Sequence, residues 1–373
     1  MKKILIVFGT RPEAIKMAPV VRALQQCSDK FETKICSTGQ HRQMLEQVMS
    51  FFGITADFEL NVMSSNQSLS DITCKVLKGL ENVFKIWKPD IVLVQGDTTT
   101  VMAGALASFY HKIKIGHVEA GLRTGDIYSP WPEEMNRLLA TRMATIHFAP
   151  TVTSRDNLLR EGIASESVHV TGNTVIDALF DAIKIIDKDV VMTAKFEQKF
   201  SFLDVSKRMI LITGHRRENF GSGFQQICNA IVKLAERDDI QMVYPVHMNP
   251  NVHNPVTDVL GGCRNVVLLE PQDYPSFIYL MRRSHLILTD SGGVQEEAPS
   301  LGKPVVVMRD TTERPEAVAA GTVVLAGAMY ENIIHYVSKL LDDTKYFEQM
   351  SKASNPYGDG KSCDRIVSLL QTL

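Results

Sequence analysis

No apolar run in the chain approaches the ~18 residues that would read as a membrane-spanning helix. Met1-Lys2-Lys3 followed by Ile4–Phe8 briefly resembles a signal peptide, but the apolar stretch stops at Gly9-Thr10-Arg11. That is short of an h-region of ~7–15 residues, so a buried first strand is expected instead. A basic excess is also missing: 40 Lys and Arg face 42 Asp and Glu, for a net charge of −2. Binding along a phosphate backbone is therefore not expected, and neither a nucleic acid nor a membrane is expected as partner. The six cysteines (Cys27, Cys36, Cys74, Cys228, Cys263 and Cys363) form no CxxC and no regular framework. Reduced thiols in a cytoplasmic chain are the expectation. No GxGxxG follows a strand-like run, and GxxxxGK[ST], HExxH and GxSxG are all absent. A nicotinamide held by the usual fingerprint, a P-loop nucleotide and the common hydrolase or metalloprotease sites lose their support. No cofactor and no metal are expected.

What remains is an ordinary globular composition, 45% hydrophobic and 22% charged over 373 residues, long enough for two cores. Short apolar runs alternate with helical patterns, as in parallel sheets covered by helices. Strands are expected at Ile4–Phe8, Ile91–Gln95, Ile113–Val118 and Ile146–Phe148, with helices at Ala14–Gln26, His41–Phe51, Leu69–Trp87 and Asp156–Glu161. The series restarts at Arg208–Thr213 and continues through Ile240–Val246, Val266–Leu269, His285–Thr289 and Pro304–Met308. Both starts share one pattern, strand then Gly, a polar residue and a cation: Gly9-Thr10-Arg11 and Gly214-His215-Arg216. The reading is an α/β chain of two Rossmann-like, doubly wound domains facing each other across a cleft. The domains are expected at 1–170 and 171–359. The polar stretch Asp187–Asp204 joins them, and a final helix within 360–373 packs back on the first.

Thr289-Asp290-Ser291-Gly292-Gly293-Val294-Gln295-Glu296-Glu297 runs from a strand through Ser-Gly-Gly into a good helix former. Glycines allow close approach of a ligand, and a helix start offers free N–H groups to a diphosphate. Glu297, one turn on, is placed to accept hydrogen bonds from a ribose diol. The plainer reading is an N-capped helix behind a glycine turn. In Gly9-Thr10-Arg11-Pro12-Glu13-Ala14-Ile15-Lys16, Pro12 fits a first helical turn, and Arg11 and Lys16 bracket it as anion-facing or merely solvated cations. Arg314, just past a strand, is a further phosphate or sugar contact. Gln272 and Phe277 lie in a loop suited either to recognising a base or to core packing.

Carboxylates gather at strand ends in the first half: Asp97 after Gln95-Gly96, Glu119 after His117-Val118, and Glu133 and Glu134 after Trp131-Pro132. Taken singly, such acids suit helix caps and first turns. Together, beside a cationic phosphate site, they suit proton transfer next to a leaving diphosphate. His215 closes the restart strand and is placed to meet that diphosphate. His247 and Gln40-His41 are weaker candidates of the same kind.

The stretches GTRPEAIKMAP, GDTTT, GHVEAGLRTGD, YSPWPEE, TGNTVIDAL, TGHRREN, TDSGGVQEEAPSLGKPV and MRDTTERPEAV occur in order along the chain. Together they resemble the bacterial non-hydrolysing UDP-N-acetylglucosamine 2-epimerases. The resemblance implies the GT-B arrangement of two domains and interconversion of UDP-GlcNAc and UDP-ManNAc, supplying ManNAc units for surface polysaccharides. It implies a catalytic group of Asp97, Glu119, Glu133 and His215. Arg11, Lys16, Gln272, Phe277, Ser291, Gly292, Gly293, Glu297 and Arg314 would be the UDP-sugar contacts. A homodimer is implied as well, with a second, activating UDP-GlcNAc near Gln40, His41 and His247. A hydrolysing epimerase, a GT-B glycosyltransferase and a sugar-nucleotide sensor are the alternatives.

Overall fold

The computed structural model describes residues 1–40, 42–64, 66–216, 219–312 and 314–373. The chain divides into two units, one formed by Met1–Asp181 with Tyr357–Leu373 and the other by Ala182–Pro356. The first unit begins with β1 (Lys2–Phe8), α1 (Arg11–Gln26), β2 (Phe31–Ser37) and α2 (Arg42–Phe52). It continues through β3 (Phe58–Glu59), α3 (Leu69–Ile86), β4 (Ile91–Gln95) and α4 (Thr99–Tyr110). Then come β5 (Lys114–Val118), α5 (Glu133–Met143), β6 (Ile146–Ala149), α6 (Val152–Arg160) and β7 (Val168–Val170). The seven strands are parallel, in the order β3-β2-β1-β4-β5-β6-β7. Strand order reverses between β1 and β4, the place where a doubly wound sheet opens a crevice beyond its carboxyl ends.

After α7 (Thr174–Lys188) and α8 (Val190–Lys199), the second unit repeats the plan with β8 (Arg208–Thr213), α9 (Ser222–Leu234), β9 (Ile240–Pro245) and α10 (Pro250–Leu260). It adds β10 (Val266–Leu269), α11 (Tyr274–Arg283), β11 (Leu286–Thr289), α12 (Gly292–Glu297) and β12 (Val305–Val307). α13 (Pro315–Ala319), β13 (Val323–Leu325), α14 (Tyr330–Asp342) and α15 (Thr344–Ser351) close it. Its six parallel strands run β10-β9-β8-β11-β12-β13, with the reversal between β8 and β11. The last helix, α16 (Ser362–Thr372), belongs to the first unit and packs on α1.

Helices cover both faces of such sheets, so the central strands are apolar on both sides. Ile4 through Phe8 are wholly buried, as are Val92, Leu93 and Val94 on the neighbouring β4. On one face, α3 packs Ile72, Val76, Leu80, Val83 and Phe84 at helical spacing into a cluster with Leu5, Val7, Val92 and Val94. Each such side chain contributes roughly 1.5–3 kcal/mol by leaving water. α1 starts where a capping box holds it: Thr10 accepts from the Glu13 N–H, and the Glu13 carboxylate takes the Thr10 N–H at 2.7 Å.

The apolar runs located the central strands closely; β4, β8 and β10 span the expected residues. Four strands had no such run. β3, β7 and β13 hold three residues or fewer, and β2 carries Glu32 and Lys34 mid-strand. Trp87 pairs with Glu32 at 2.9 Å and lies 5.1 Å from the Lys34 ammonium, which accommodates both charges. α6 starts four residues ahead of the expected Asp156 because Thr151 caps it, accepting from the Ser154 N–H at 3.1 Å. The first unit runs on to Asp181, past residue 170, for a local reason. The Asp177 carboxylate on α7 accepts the Ser362 and Cys363 N–H groups at 3.2 and 2.9 Å, fastening α7 to the start of α16. Asp187–Asp204 contains α8 and no strand.

Gly121 follows β5 with φ +94, and a Cβ there would lie 2.2 Å from the Ser154 carbonyl oxygen of α6. Backbone cannot swing aside as a side chain does. Gly121→Ala should therefore cost about 3 kcal/mol, combining left-handed strain with overpacking. Urea unfolding is expected to show this as a lowered midpoint with an unchanged m-value.

Candidate functional site

In the first unit, polar groups converge beyond the carboxyl ends of β1, β4 and β5. Glu119 follows β5 with φ +63, a left-handed conformation uncommon for a residue bearing a Cβ. It turns a nearly buried carboxylate back toward the sheet. There it forms an ion pair with Lys16 of α1 and accepts from the Gln95 side chain at the end of β4. Asn173, just ahead of α7, donates to Glu119 Oε1 at 3.0 Å and caps α7 through the Val175 N–H at 3.1 Å. Gly96 lies alongside, where a Cβ would come within 3.5 Å of Glu119 Oε2.

Asp97 does not cap α4. That task falls to Thr98, whose hydroxyl accepts from the Val101 N–H at 3.3 Å. The Asp97 carboxylate is thereby left to pair with Arg137 of α5, and the Asn136 side chain holds its carbonyl at 2.9 Å. Arg137 also reaches Glu134 at 2.9 Å, while Glu134 accepts the Thr124 and Gly125 N–H groups at 3.1 and 3.2 Å. Glu133 opens α5, half-buried, one residue before Glu134. Arg11 is half-buried at the first position of α1.

Two buried groups fix the loops that carry these acids. Glu13 takes the Gly9 and Thr10 N–H groups at 3.1 and 2.7 Å and the Thr98 hydroxyl at 2.8 Å, joining the loops after β1 and β4. Burial raises its carboxyl pKa, against the lowering effect of those hydrogen bonds. His117 of β5 faces the Gly96 carbonyl at 2.7 Å. A carbonyl only accepts, so Nε2 carries the proton. Burial is the main cause that lowers the His117 pKa to about 4.

In the second unit the same end of the sheet carries His215 after β8 and the Ser291-Gly292-Gly293 turn after β11. Ser291 occupies the N-cap position of α12, but its hydroxyl makes no capping bond. Its N–H instead donates to Thr289 Oγ1 at 2.9 Å. Gly293 is exposed and Gly292 buried, with an Arg314 guanidinium nitrogen 4.0 Å from where a Gly292 Cβ would stand. Arg314 pairs with buried Glu296 at 2.5 Å. Glu297 accepts the Tyr274 hydroxyl at 2.9 Å, and burial followed by that carboxylate holds the Tyr274 pKa well above 10. Gln272 turns its amide onto the Glu270 carbonyl at 2.5 Å, and Phe277 lies half-buried in α11. His215 is flanked by Asp290, Arg216 and His247; partial burial lowers its pKa, partly offset by Asp290.

The expected residues thus fall into separate clusters. Lys16 meets Glu119; Asp97 joins Arg137; Arg314 lies beside Gly292. Gln40 lies in the loop after β2 with its amide oxygen buried and without a hydrogen-bond partner among the described residues. His247 stacks on His215, and His41 lies outside the described residues. Sequence reasoning passed over Gln95, Asn173, Arg137, Tyr274, Glu296 and Asp290. Only Arg137 carried a local signal, three residues after Glu134 on one helix face. Among the described residues no group of three or more His, Cys, Asp or Glu is arranged to hold a metal, and no helix is long and apolar enough to cross a membrane.

Two doubly wound parallel sheets with polar clusters at their carboxyl ends define a two-domain protein of the Rossmann-like α/β class. The family model for UDP-N-acetylglucosamine 2-epimerase matches residues 22–371. A Yersinia pestis UDP-N-acetylglucosamine 2-epimerase is 56% identical over 370 residues, 99% of this chain and 98% of its own. The enzyme of that name from Escherichia coli K12 is also 56% identical, over 373 residues with the same coverage. The crystal structure of the Neisseria meningitidis UDP-GlcNAc 2-epimerase bound to UDP-GlcNAc superposes with a TM-score of 0.93 at 53% identity, covering 100% of both chains. The chain belongs to the UDP-N-acetylglucosamine 2-epimerase family.

The depressed His117 pKa links stability to pH. The folded state resists protonation until about pH 4, whereas an unfolded imidazole takes its proton near 6.5. Below 6.5 the unfolded chain binds more protons, so stability is full above that pH and falls as pH drops toward 4, by up to about 3 kcal/mol. Urea unfolding at pH 7.5 and pH 5 should show a smaller difference for His117→Asn than for the unmodified chain.

Proposed function

We propose that this chain catalyses the reversible epimerisation of UDP-GlcNAc at C2 to give UDP-ManNAc. The observation that carries the reading is the pair of restrained carboxylates in the first unit. Glu119 is turned inward by a left-handed backbone onto Lys16, Gln95 and Asn173, and Asp97 is released from helix capping and held by Arg137. Family membership and the full-length likeness to a solved UDP-GlcNAc complex support the substrate.

The C2 hydrogen of the sugar has no neighbouring carbonyl to acidify it, so simple removal and return of the proton is out of reach near neutral pH. Eliminating UDP solves this. As a carboxylate takes the C2 proton, the C1–O bond breaks, its electron pair leaves with the diphosphate, and 2-acetamidoglucal forms. UDP then adds back to C1 while a second acid delivers a proton to the opposite face of C2. Two faces require two acid/base groups, drawn in this reading from Asp97, Glu119 and Glu133.

The remaining residues handle the leaving group. Arg11, His215, Arg314 and the Ser291-Gly292-Gly293 turn would stabilise charge on the diphosphate. Glu297, braced by Tyr274, would take the ribose, and Gln272 and Phe277 the base. Lys16 keeps the Glu119 carboxylate in place. The same reading has the chain act as a cytoplasmic homodimer that supplies ManNAc units for surface polysaccharides. A further UDP-GlcNAc would act as an activator near Gln40, His41 and His247.

Incubation with UDP-GlcNAc in D2O, followed by NMR, tests the reaction. Deuterium should enter at C2 and UDP-ManNAc should accumulate, with little free UDP and no added cofactor. Stoichiometric release of UDP and ManNAc would favour a hydrolysing enzyme instead. Binding without exchange at C2 would leave a transferase or a sensor. Asp97→Asn and Glu119→Gln should each lower kcat by about 100-fold or more with folding intact by circular dichroism.

A further inference from the structure

Asp290 follows β11 at the reversal of strand order in the second sheet and is fully buried. One carboxylate oxygen, Oδ2, accepts the backbone N–H groups of His215 and Arg216, each at 2.8 Å. The other, Oδ1, is buried without a hydrogen-bond partner among the described residues and lies 3.5 Å from His215 Nδ1. A buried carboxylate oxygen with no donor is costly, and a few tenths of an ångström of imidazole movement would supply one. Two other groups face His215. Arg216 is a cation on the same loop, and His247 from the loop after β9 stacks flat on the ring at 5.5 Å. His247 Nδ1 accepts the Asn249 N–H at 3.1 Å, so its own proton sits on Nε2.

From this geometry we infer that Asp290 is a positioning residue that holds His215 in the Nδ1–H tautomer and leaves Nε2 as the working nitrogen. The inference deepens the epimerase reading, resting on His215 as a group that meets the diphosphate. A carboxylate behind Nδ1–H makes Nε2 more basic, so the imidazole carries its second proton as the diphosphate departs. It also fixes the direction in which that proton points. Because Oδ2 pins the loop backbone while Oδ1 addresses the ring, one side chain sets both the place and the protonation state of His215. Nothing in Thr-Asp-Ser-Gly-Gly as a glycine turn required an acid at that position.

The decisive measurement is the tautomer of His215 in the unmodified protein, read from long-range 1H–15N correlations of histidine-labelled chain, with His215→Gln supplying the assignment. Neutral His215 should show a protonated Nδ1 and a bare Nε2; a protonated Nε2 overturns the inference. Asp290→Asn provides the second readout. The His215 titration midpoint should fall by about one unit. Activity on the alkaline side should drop about tenfold and recover as the pH is lowered. If the variant folds with the His215 midpoint unmoved, or loses activity equally at every pH, Asp290 acts only as a structural clamp and the inference fails. Should Asp290→Asn not fold, the tautomer still decides. Correct tautomer and shift without UDP-ManNAc formation would uphold the Asp290 inference and remove only the epimerase reading.

Discussion

The carboxylate of Glu119 is the point on which the first unit's polar architecture turns. Its left-handed backbone costs on the order of 1 kcal/mol or more, so neighbouring contacts must hold it there. Those contacts come from different parts of the chain: Lys16 on α1, Gln95 at the end of β4, and Asn173 ahead of α7. Asn173 in turn donates its N–H to the Tyr357 carbonyl at 2.7 Å, which brings in the segment leading to α16. A strained residue braced from α1, β4 and the entry to α7 cannot relax without disturbing all of them. Rigidity of this kind suits a group that must keep one orientation.

The two units solve one problem in two ways. In each, the loop after the first strand of the sheet begins with glycine, and its backbone N–H groups are gathered by a buried carboxylate. After β1 the acid is Glu13, supplied by the helix that the loop opens. After β8 it is Asp290, the residue that follows β11 across the reversal point. The similarity between Gly9-Thr10-Arg11 and Gly214-His215-Arg216 therefore extends beyond spelling to a shared means of fixing the backbone. The source of the acid differs, and so does the side chain carried on the fixed loop: Arg11 at a helix start in one case, the His215 imidazole in the other.

Much of this was legible in the sequence where the signal was local. Apolar runs such as Ile4–Phe8 and Ile91–Gln95 announce buried parallel strands, and the restart at Arg208 announces the second sheet. Strands of two or three residues at sheet edges give no periodicity to read, and β2 hides its strand character under Glu32 and Lys34. The acids themselves stood out because they follow strands. Their partners did not, since pairs such as Glu119 with Asn173, or Glu297 with Tyr274, are set by topology rather than spacing. Whether Asp97 caps a helix or faces elsewhere was undecidable from one sequence, because Thr98 beside it caps equally well. A competing hydroxyl one residue away settled the matter.

The placement of α16 has a consequence for how the molecule is made. The first unit consists of Met1–Asp181 and Tyr357–Leu373, with the whole of the second unit between them. On the ribosome, the earliest sheet emerges first, yet Lys2 finds its partner carbonyls at Leu370 and Gln371 only when the final helix appears. Asp177 likewise waits for the N–H groups of Ser362 and Cys363. The domain translated first is thus the one completed last, and the inserted domain is able to finish folding before it. Damage to α16 would accordingly be felt in the sheet of the first unit, 368 residues away along the chain at Lys2.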